Sequence, residues 1–588
     1  MRRPRLPQLR ALRSLGYALE DFAYLLGRIP RALASGAGGF RARLSPRSYR
    51  RLGLALASGV LVALAAAFAA PRLPCALPGG DECAPADDAA TLVPADAVAY
   101  VHVALDPESE QYRNAETLLE SLPTISEELI GRALEGVSGP DGGPVDFAED
   151  IAPWFGEEAA VALLPGSGAL EEVVLLQEDD AQAAGEFASA TTGASAPTDE
   201  HEGIEIATGE GGVATASIGG FLVLGPQAAV RRVAEADALG AGETLAEDPV
   251  ARELREELPA ERVADAYLSE DGMDELVAGA ASPLASLEPF VHAAASRGAA
   301  AAIGAREGSF EVALRSSLDE GRASADPGFF AAFSAFTPEL PAEIPADALA
   351  YVGIDDPGAT AAGLLAQATA EAPGLAAGFA EALGRLRELG QVDVEGELLP
   401  ALAGEAAVTL QPATAGERAP APSLGFVADD VDPEAARAAI AQLQAPLVEL
   451  LDPGSSLQAP VLEEREVEGV ELHSLSISPV LNLTYALVEE RLAIATQPGM
   501  VEQVIRGEGG LGAGEGFREA TAELGEEVSL LAYLDLAGLL GLAEDEGLAE
   551  DPAYVALAPE IRSLRSLGLA VKGDSRVLAT DARVSIDR

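Results

Sequence analysis

The chain has 588 residues, 48% of them hydrophobic, with a net charge of −57 and two cysteines. That length exceeds one ordinary domain, the apolar content excludes wholesale disorder, and the acidity argues against nucleic acid as a partner because like charges repel. The charge is divided unevenly: residues 1–51 carry twelve Arg against Glu20 and Asp21, a net +10, while the remainder holds 26 basic and 93 acidic groups, a net −67.

The basic segment 1–51 contains Leu15, Leu19, Phe22, Leu25 and Leu26 on one side of a short helix predicted within 14–35. Such a helix could lie on an anionic membrane face, or the segment could be a flexible tail. Residues 52–70, "LGLALASGVLVALAAAFAA", run without a charge. As a helix they would measure about 28 Å, close to the hydrocarbon thickness of a bilayer. Arg41, Arg43, Arg47, Arg50 and Arg51 precede the run and only Arg72 follows closely. The positive-inside rule therefore predicts a transmembrane signal anchor at 52–70, with a cytoplasmic amino terminus and an extracytoplasmic body. A cleaved signal peptide, cut near "AFAAP", is the rival, but the leader is long for one. Residues 71–91 read as a Pro/Asp-rich linker, and Cys75 and Cys83 within it could close a disulfide or stay as two thiols.

A first lobe is expected over 92–325. "AVAYVHVAL" reads as a buried strand and Asp106-Pro107 as the start of a helix through "ETLLESLPTISEELIGRAL". "EAAVALL" and "EVVLLQ" read as strands, and "EDDAQAAGEFA" as a helix. "GIEIATG" and "FLVLG" read as strands, "AAVRRVAEA" as a helix, and "AAAIGAREGSFEVALRSSLD" as a closing apolar pair. A connector at 326–340 contains "FFAAFSAF", which places Phe329, Phe333 and Phe336 on one face of a helix.

A second lobe is expected over 341–588, because the landmarks recur in order. "PADAVAYV" at 94–101 returns as "PADALAYV" at 345–352, with seven of eight positions identical. "VDFAEDIAPWFGEEAAVALLP" (145–165) aligns without gaps on "VDVEGELLPALAGEAAVTLQP" (392–412), with nine identities. The closing pair has its counterpart in "LGLAVKGDSRVLATDARVSID". Each lobe is thus predicted as α+β: a mostly antiparallel sheet, β-α-β-β-α at its centre, with helices packed on one face. The repeated structural motif is Pro94, Asp96 and Tyr100, matched by Pro345, Asp347 and Tyr351. The Pro and Asp make a turn, and the Tyr anchors the first strand.

An apolar anchor followed by "VPADAVAYVHVALDP" and "QYRNAETLLESLP" resembles the bacterial membrane-anchored family filed as domain of unknown function 3352. The resemblance implies a two-lobed extracytoplasmic protein and carries over no catalytic residues.

Motifs for chemistry are weak. "GEGGLG" at 507–512 has dinucleotide spacing but follows a helix, so Gly507 reads as a helix cap. His102, His201, His292 and His473 have no His or Cys at ligand spacing, and the counterpart of His102 is Gly353. Structural or surface roles are expected for all four. "EDD" (178–180) and "DDVD" (429–432) read as helix caps, with weak Ca²⁺ binding the lesser option. Trp154 and Phe155 are expected in the core.

No catalytic residue, cofactor or defined metal site is expected, and divalent cations only as a loose counter-ion atmosphere. The expectation is a non-catalytic binding or scaffold module of the cell envelope. Its predicted partners are the bilayer through 52–70 and an envelope protein or apolar ligand. A carrier of lipid-like ligands and a carboxylate-based hydrolase are the alternatives.

Overall fold

The computed structural model describes residues 84–123, 147–193, 195–209, 211–240, 243–277, 288–371, 384, 396, 399–413, 422–451, 461–478, 481–545 and 547–587. The apolar run 52–70, the helix predicted within 14–35, and Cys75 and Cys83 lie outside the described residues. Among the described residues no helix is long and apolar enough to cross a membrane.

Ten strands precede residue 320: β1 Ala99–Ala104, β2 Phe155–Pro165, β3 Leu170–Glu178, β4 Thr198–His201, β5 Ile204–Thr208, β6 Val213–Ile218, β7 Phe221–Pro226, β8 Ala264–Ser269, β9 Ser296–Arg306 and β10 Ser309–Leu318. All pair antiparallel, in the order β4-β5-β6-β7-β3-β2-β1-β8-β9-β10. The next eight are β11 Ala350–Asp355, β12 Glu405–Gln411, β13 Ser423–Ala428, β14 Val461–Val467, β15 Val470–Ser478, β16 Leu481–Val488, β17 Arg491–Ala495 and β18 Leu530–Asp535. They repeat the pattern as β14-β15-β16-β17-β13-β12-β11-β18. The fold is therefore mixed helix and large antiparallel sheet. Strands β4, β6, β8, β14, β16 and β18 escape the sequence reading, β4 and β14 because they are strongly polar.

Local chemistry explains the turns. Glu202-Gly203 joins β4 to β5 with φ of 51° and 82°, and Glu468-Gly469 joins β14 to β15 with 53° and 87°. Positive φ at both central residues defines the hairpin turn whose twist suits flanking strands, and glycine takes the second position at little cost. The repeated phrase makes the same turn twice. Ala97 N donates to Pro94 O at 3.1 Å, and Ala348 N to Pro345 O at 3.2 Å.

Several expectations are corrected. The first helix spans Glu110–Glu120 and is capped by Ser109 rather than Asp106, because the Ser109 hydroxyl reaches Tyr112 N. In the second half Asp356 does cap, accepting from Ala359 N at 2.8 Å. "FFAAFSAF" forms only a 3-10 turn at Phe329–Ala332. Ser334 and Phe336 are instead drawn into β-bridges with Asp355 and Val528, so no helical face forms.

Helices cover both faces of the first sheet rather than one. Residues 99–103 are all buried because Tyr100 and His102 point to one face and Val101 and Val103 to the other. Tyr100 packs with Val230 and Val233 of helix Gln227–Leu239 and with Ala251 and Leu254 of helix Pro249–Glu256. Val101 and Val103 belong with Tyr112, Trp154, Ala184 and Phe187. A strand buried on both faces needs an unbroken apolar run, which "AVAYV" supplies.

The described chain forms two compact units, divided differently from the lobes expected. One holds 328–535; the other holds 84–327 together with 536–587. The final strands, β19 Leu564–Gly573 and β20 Val577–Ile586, pair with each other, and β20 pairs with β10 over nine residue pairs. Arg315 reinforces that seam by bonding Asp581 at 2.8 Å.

Candidate functional site

The densest chemistry among the described residues is a buried charged cluster around β1. Strand periodicity carries His102 to the same face as Tyr100, two residues before it, where it is fully buried. Register places Asp265 of β8 directly opposite His102. Nδ1 of His102 lies 3.2 Å from Asp265 Oδ1, which also accepts from Arg262 Nε at 2.9 Å. Arg255, on helix Pro249–Glu256, has its Nε 3.7 Å from Asp265 Oδ2 and reaches Asp87 Oδ2 with its terminal nitrogen.

Two further carboxylates complete the group. Glu158, next to the first buried run of β2, accepts Ala89 N at 2.8 Å and Asp88 N at 3.2 Å. Its Oε1 lies 3.6 Å from His102 Nε2. Asp87 Oδ1 accepts from the Tyr100 hydroxyl at 2.6 Å and from Ala90 N at 3.0 Å. The segment leading into β1 is thus clasped to the sheet by its own backbone N–H groups and by Asp87.

Burial and pairing set the protonation states. Burial alone would raise Asp265, but the hydrogen bond from His102 and the charges of His102, Arg262 and Arg255 hold it well below the usual carboxylate range. Burial pushes Glu158 up to about 7, against the two backbone donors that favour its anion. Burial opposes charging of His102, yet Asp87, Asp265 and Glu158 outweigh it and raise the imidazole above its ordinary value. Tyr100 is held well above its ordinary value, chiefly by burial and then by Asp87. Three carboxylates face two guanidinium groups, so one more positive charge brings the group to neutrality.

The second half keeps the frame and drops the charges. Tyr351 OH donates to Glu405 at 3.0 Å, and Glu405 accepts Glu339 N at 2.7 Å and Leu340 N at 2.8 Å. Gly353 and Leu531 pair in register where His102 and Asp265 pair in the first half. Phe517 fills the space, 6.0 Å from Tyr351 and 5.2 Å from Tyr533 between ring centres.

The positions singled out from sequence fall as follows. Tyr100 and Tyr351 are fully buried and hold carboxylates; Asp96 pairs with Arg232, and Asp347 is exposed. Gly507 sits at φ 65° after helix Pro498–Ile505, its N–H on Val504 O, as a helix cap. Asp180 and Asp432 cap the helices that follow them. Trp154 is buried against Phe187 and donates to Asp150 O at 2.8 Å. His201 bonds exposed Glu235 at 2.8 Å, and His473 stacks on Tyr485. Sequence reasoning missed Asp87, Glu158, Arg255, Arg262 and Asp265. One signal was available: a His and an Asp stand at strand positions where the second half has Gly353 and Leu531.

A family model described as protein of unknown function (DUF3352) matches residues 53–449, more than half of the chain. The chain belongs to that family. No curated protein matches this DUF3352 chain. Among solved structures, crystal forms I, IV and III of TP0453 are 12%, 11% and 10% identical to it. They cover 40%, 39% and 39% of this chain and 79%, 79% and 78% of their own, each at a TM-score of 0.24. That likeness is too slight to define a shared fold.

Proposed function

We propose that this DUF3352 protein is a single-pass, membrane-tethered module of the bacterial cell envelope, its amino terminus cytoplasmic and its folded body outside. On this reading it binds a protein partner and turns over no substrate. The arginines before residues 52–70 support the orientation. Enclosure of the charged cluster supports a non-catalytic role: His102, Glu158 and Asp265 are 0%, 4% and 4% exposed, which leaves no approach for a substrate.

The observation that carries the binding reading is an apolar strip on the second half's sheet. Val352 and Val408 are direct cross-strand partners, 37% and 46% exposed, and Leu424 on β13 is 48% exposed. Their first-half equivalents, Val101 and Val161, also pair but are 1% and 4% exposed. Exposed apolar side chains gathered on one sheet face are a feature of interaction surfaces. Tethering would add to weak contacts there by raising the effective concentration of neighbours.

Photocrosslinking from position 408 in living cells tests this. A reproducible envelope protein should be captured and lost in Val352→Asp. Capture of nothing, or of the same neighbours after Val352→Asp, overturns the reading, and capture of lipid alone replaces it with the carrier.

A further inference from the structure

We propose that Asp87, His102 and Glu158 form a site for a divalent transition-metal ion of the zinc class, which locks the segment 84–92 to β1 and β2. The inference is independent of the partner-binding reading.

Three segments distant in sequence bring one nitrogen and two carboxylate donors together, with one ligand atom from each residue lying within 4.8 Å of the others. His102 supplies the deciding observation. It is fully buried, and among the described residues its Nε2 has no hydrogen-bond partner. An orphaned ring nitrogen in the interior destabilises the fold unless something satisfies it. The separation of 3.6 Å to Glu158 Oε1 is long for a hydrogen bond. It is close to the roughly 3.3 Å between two ligands of a tetrahedral ion with bonds of about 2.0–2.1 Å.

The surroundings match what a metal requires of its supports. Asp265 on Nδ1 fixes the tautomer that leaves Nε2 with a free lone pair and orients the ring towards Glu158. Backbone N–H groups of Asp88 and Ala89 each occupy one oxygen of Glu158, and a lone pair remains on each. Asp87 is the ligand that must adjust. Tyr100, Ala90 and Arg255 all bond its carboxylate, so the rotatable Tyr100 hydroxyl has to yield.

Charge permits the ion. With neutral His102 the cluster of Asp87, Glu158, Asp265, Arg255 and Arg262 carries one net negative charge, and a divalent ion leaves it with one net positive charge. The imidazole donor and small ligand number favour zinc-like ions over Mg²⁺ and Ca²⁺, which take oxygen cages. Burial of His102 and Glu158 points to a structural role, with the second oxygen of a carboxylate or a water as the fourth donor. The second half has Gly353 in place of His102, and Pro338 aligns with Asp87, so the chain would hold a single site.

The purified full chain, stripped by chelator, should be re-dialysed against Zn²⁺ with excess Mg²⁺ to saturate the acidic surface. Elemental analysis should then give a single retained zinc per chain, with a raised melting temperature. Co²⁺ in its place should give the visible absorption of a tetrahedral ion. His102→Ala and Glu158→Gln should each lose the retained metal while Glu405→Gln keeps it, and circular dichroism checks that each variant is folded. Asp265→Asn should weaken affinity by about 10–100-fold. No retained zinc overturns the proposal. Equal retention by His102→Ala or Glu158→Gln does the same, as does a melting temperature that responds to pH through His102 but not to zinc.

Discussion

The two halves of this DUF3352 chain solve one problem in two ways. In each, a glutamate at the start of the second strand accepts two backbone N–H groups from the turn that leads into the first strand. Glu158 does so for Asp88 and Ala89, and Glu405 for Glu339 and Leu340. In each, a buried tyrosine stands beside that glutamate. Around this frame the first half places His102, Asp265, Arg255, Arg262 and Asp87, while the second places Gly353, Leu531 and Phe517. An apolar filling therefore suffices for the clasp, and the charged filling is an addition the fold does not need.

Removing one member of the charged set tests this most severely. Asp265→Ala strands Arg262, Arg255 and His102 without their shared carboxylate, and denaturant unfolding should show a loss of about 3–5 kcal/mol. Replacing the set at once with the second half's residues (Asp87→Pro, His102→Gly, Asp265→Leu, and Arg255→Thr and Arg262→Val after Thr521 and Val528) should cost less than that single change, because the one carboxylate left, Glu158, keeps the two backbone donors that Glu405 has in the second half. If the combined variant is the less stable, the two fillings are not interchangeable.

Glu405→Ala comes next. It leaves the Tyr351 hydroxyl and the part-buried Leu340 N–H without their acceptor, and frees the exposed Glu339 N–H to water, for a loss of about 1–3 kcal/mol by the same measurement. The pH dependence should be smaller and has a definite sign. Glu158, raised from 4.5 to about 7, and His102, also raised, both bind protons more tightly in the folded state. The contribution of Glu158 is complete below about pH 4.5 and is lost as pH rises through about 7, and that of His102 is complete below 6.5 and is lost above it. Asp265, whose value is lowered, acts oppositely, and its contribution is lost only as pH falls below 3.8. Melting temperature should therefore peak in mildly acidic solution and decline above it. Glu158→Gln should flatten that decline, and an unchanged profile would remove Glu158 from the account.

Much of the architecture is legible in residue order. The Pro-Ala-Asp turns, the apolar run "AVAYV", the caps at Asp180 and Asp432 and the cap at Gly507 each depend on a few adjacent residues whose preferences are intrinsic. The substitution of Gly353 for His102 was legible too, but it pointed away from a role. Its meaning depends on Asp265, 163 positions from His102, and on which residue of β8 stands opposite β1.

By itself, the sequence determined the family, the repeat and the positions of most strands and helices, because periodicity and turn chemistry act over a few residues. Only the tertiary structure decided that β20 pairs with β10, that helices cover both faces of the first sheet, and that Asp87, His102, Glu158 and Asp265 meet. The reason is register: strand pairing brings together residues whose local sequences carry no mark of one another. A one-residue slip would send His102 to the opposite face.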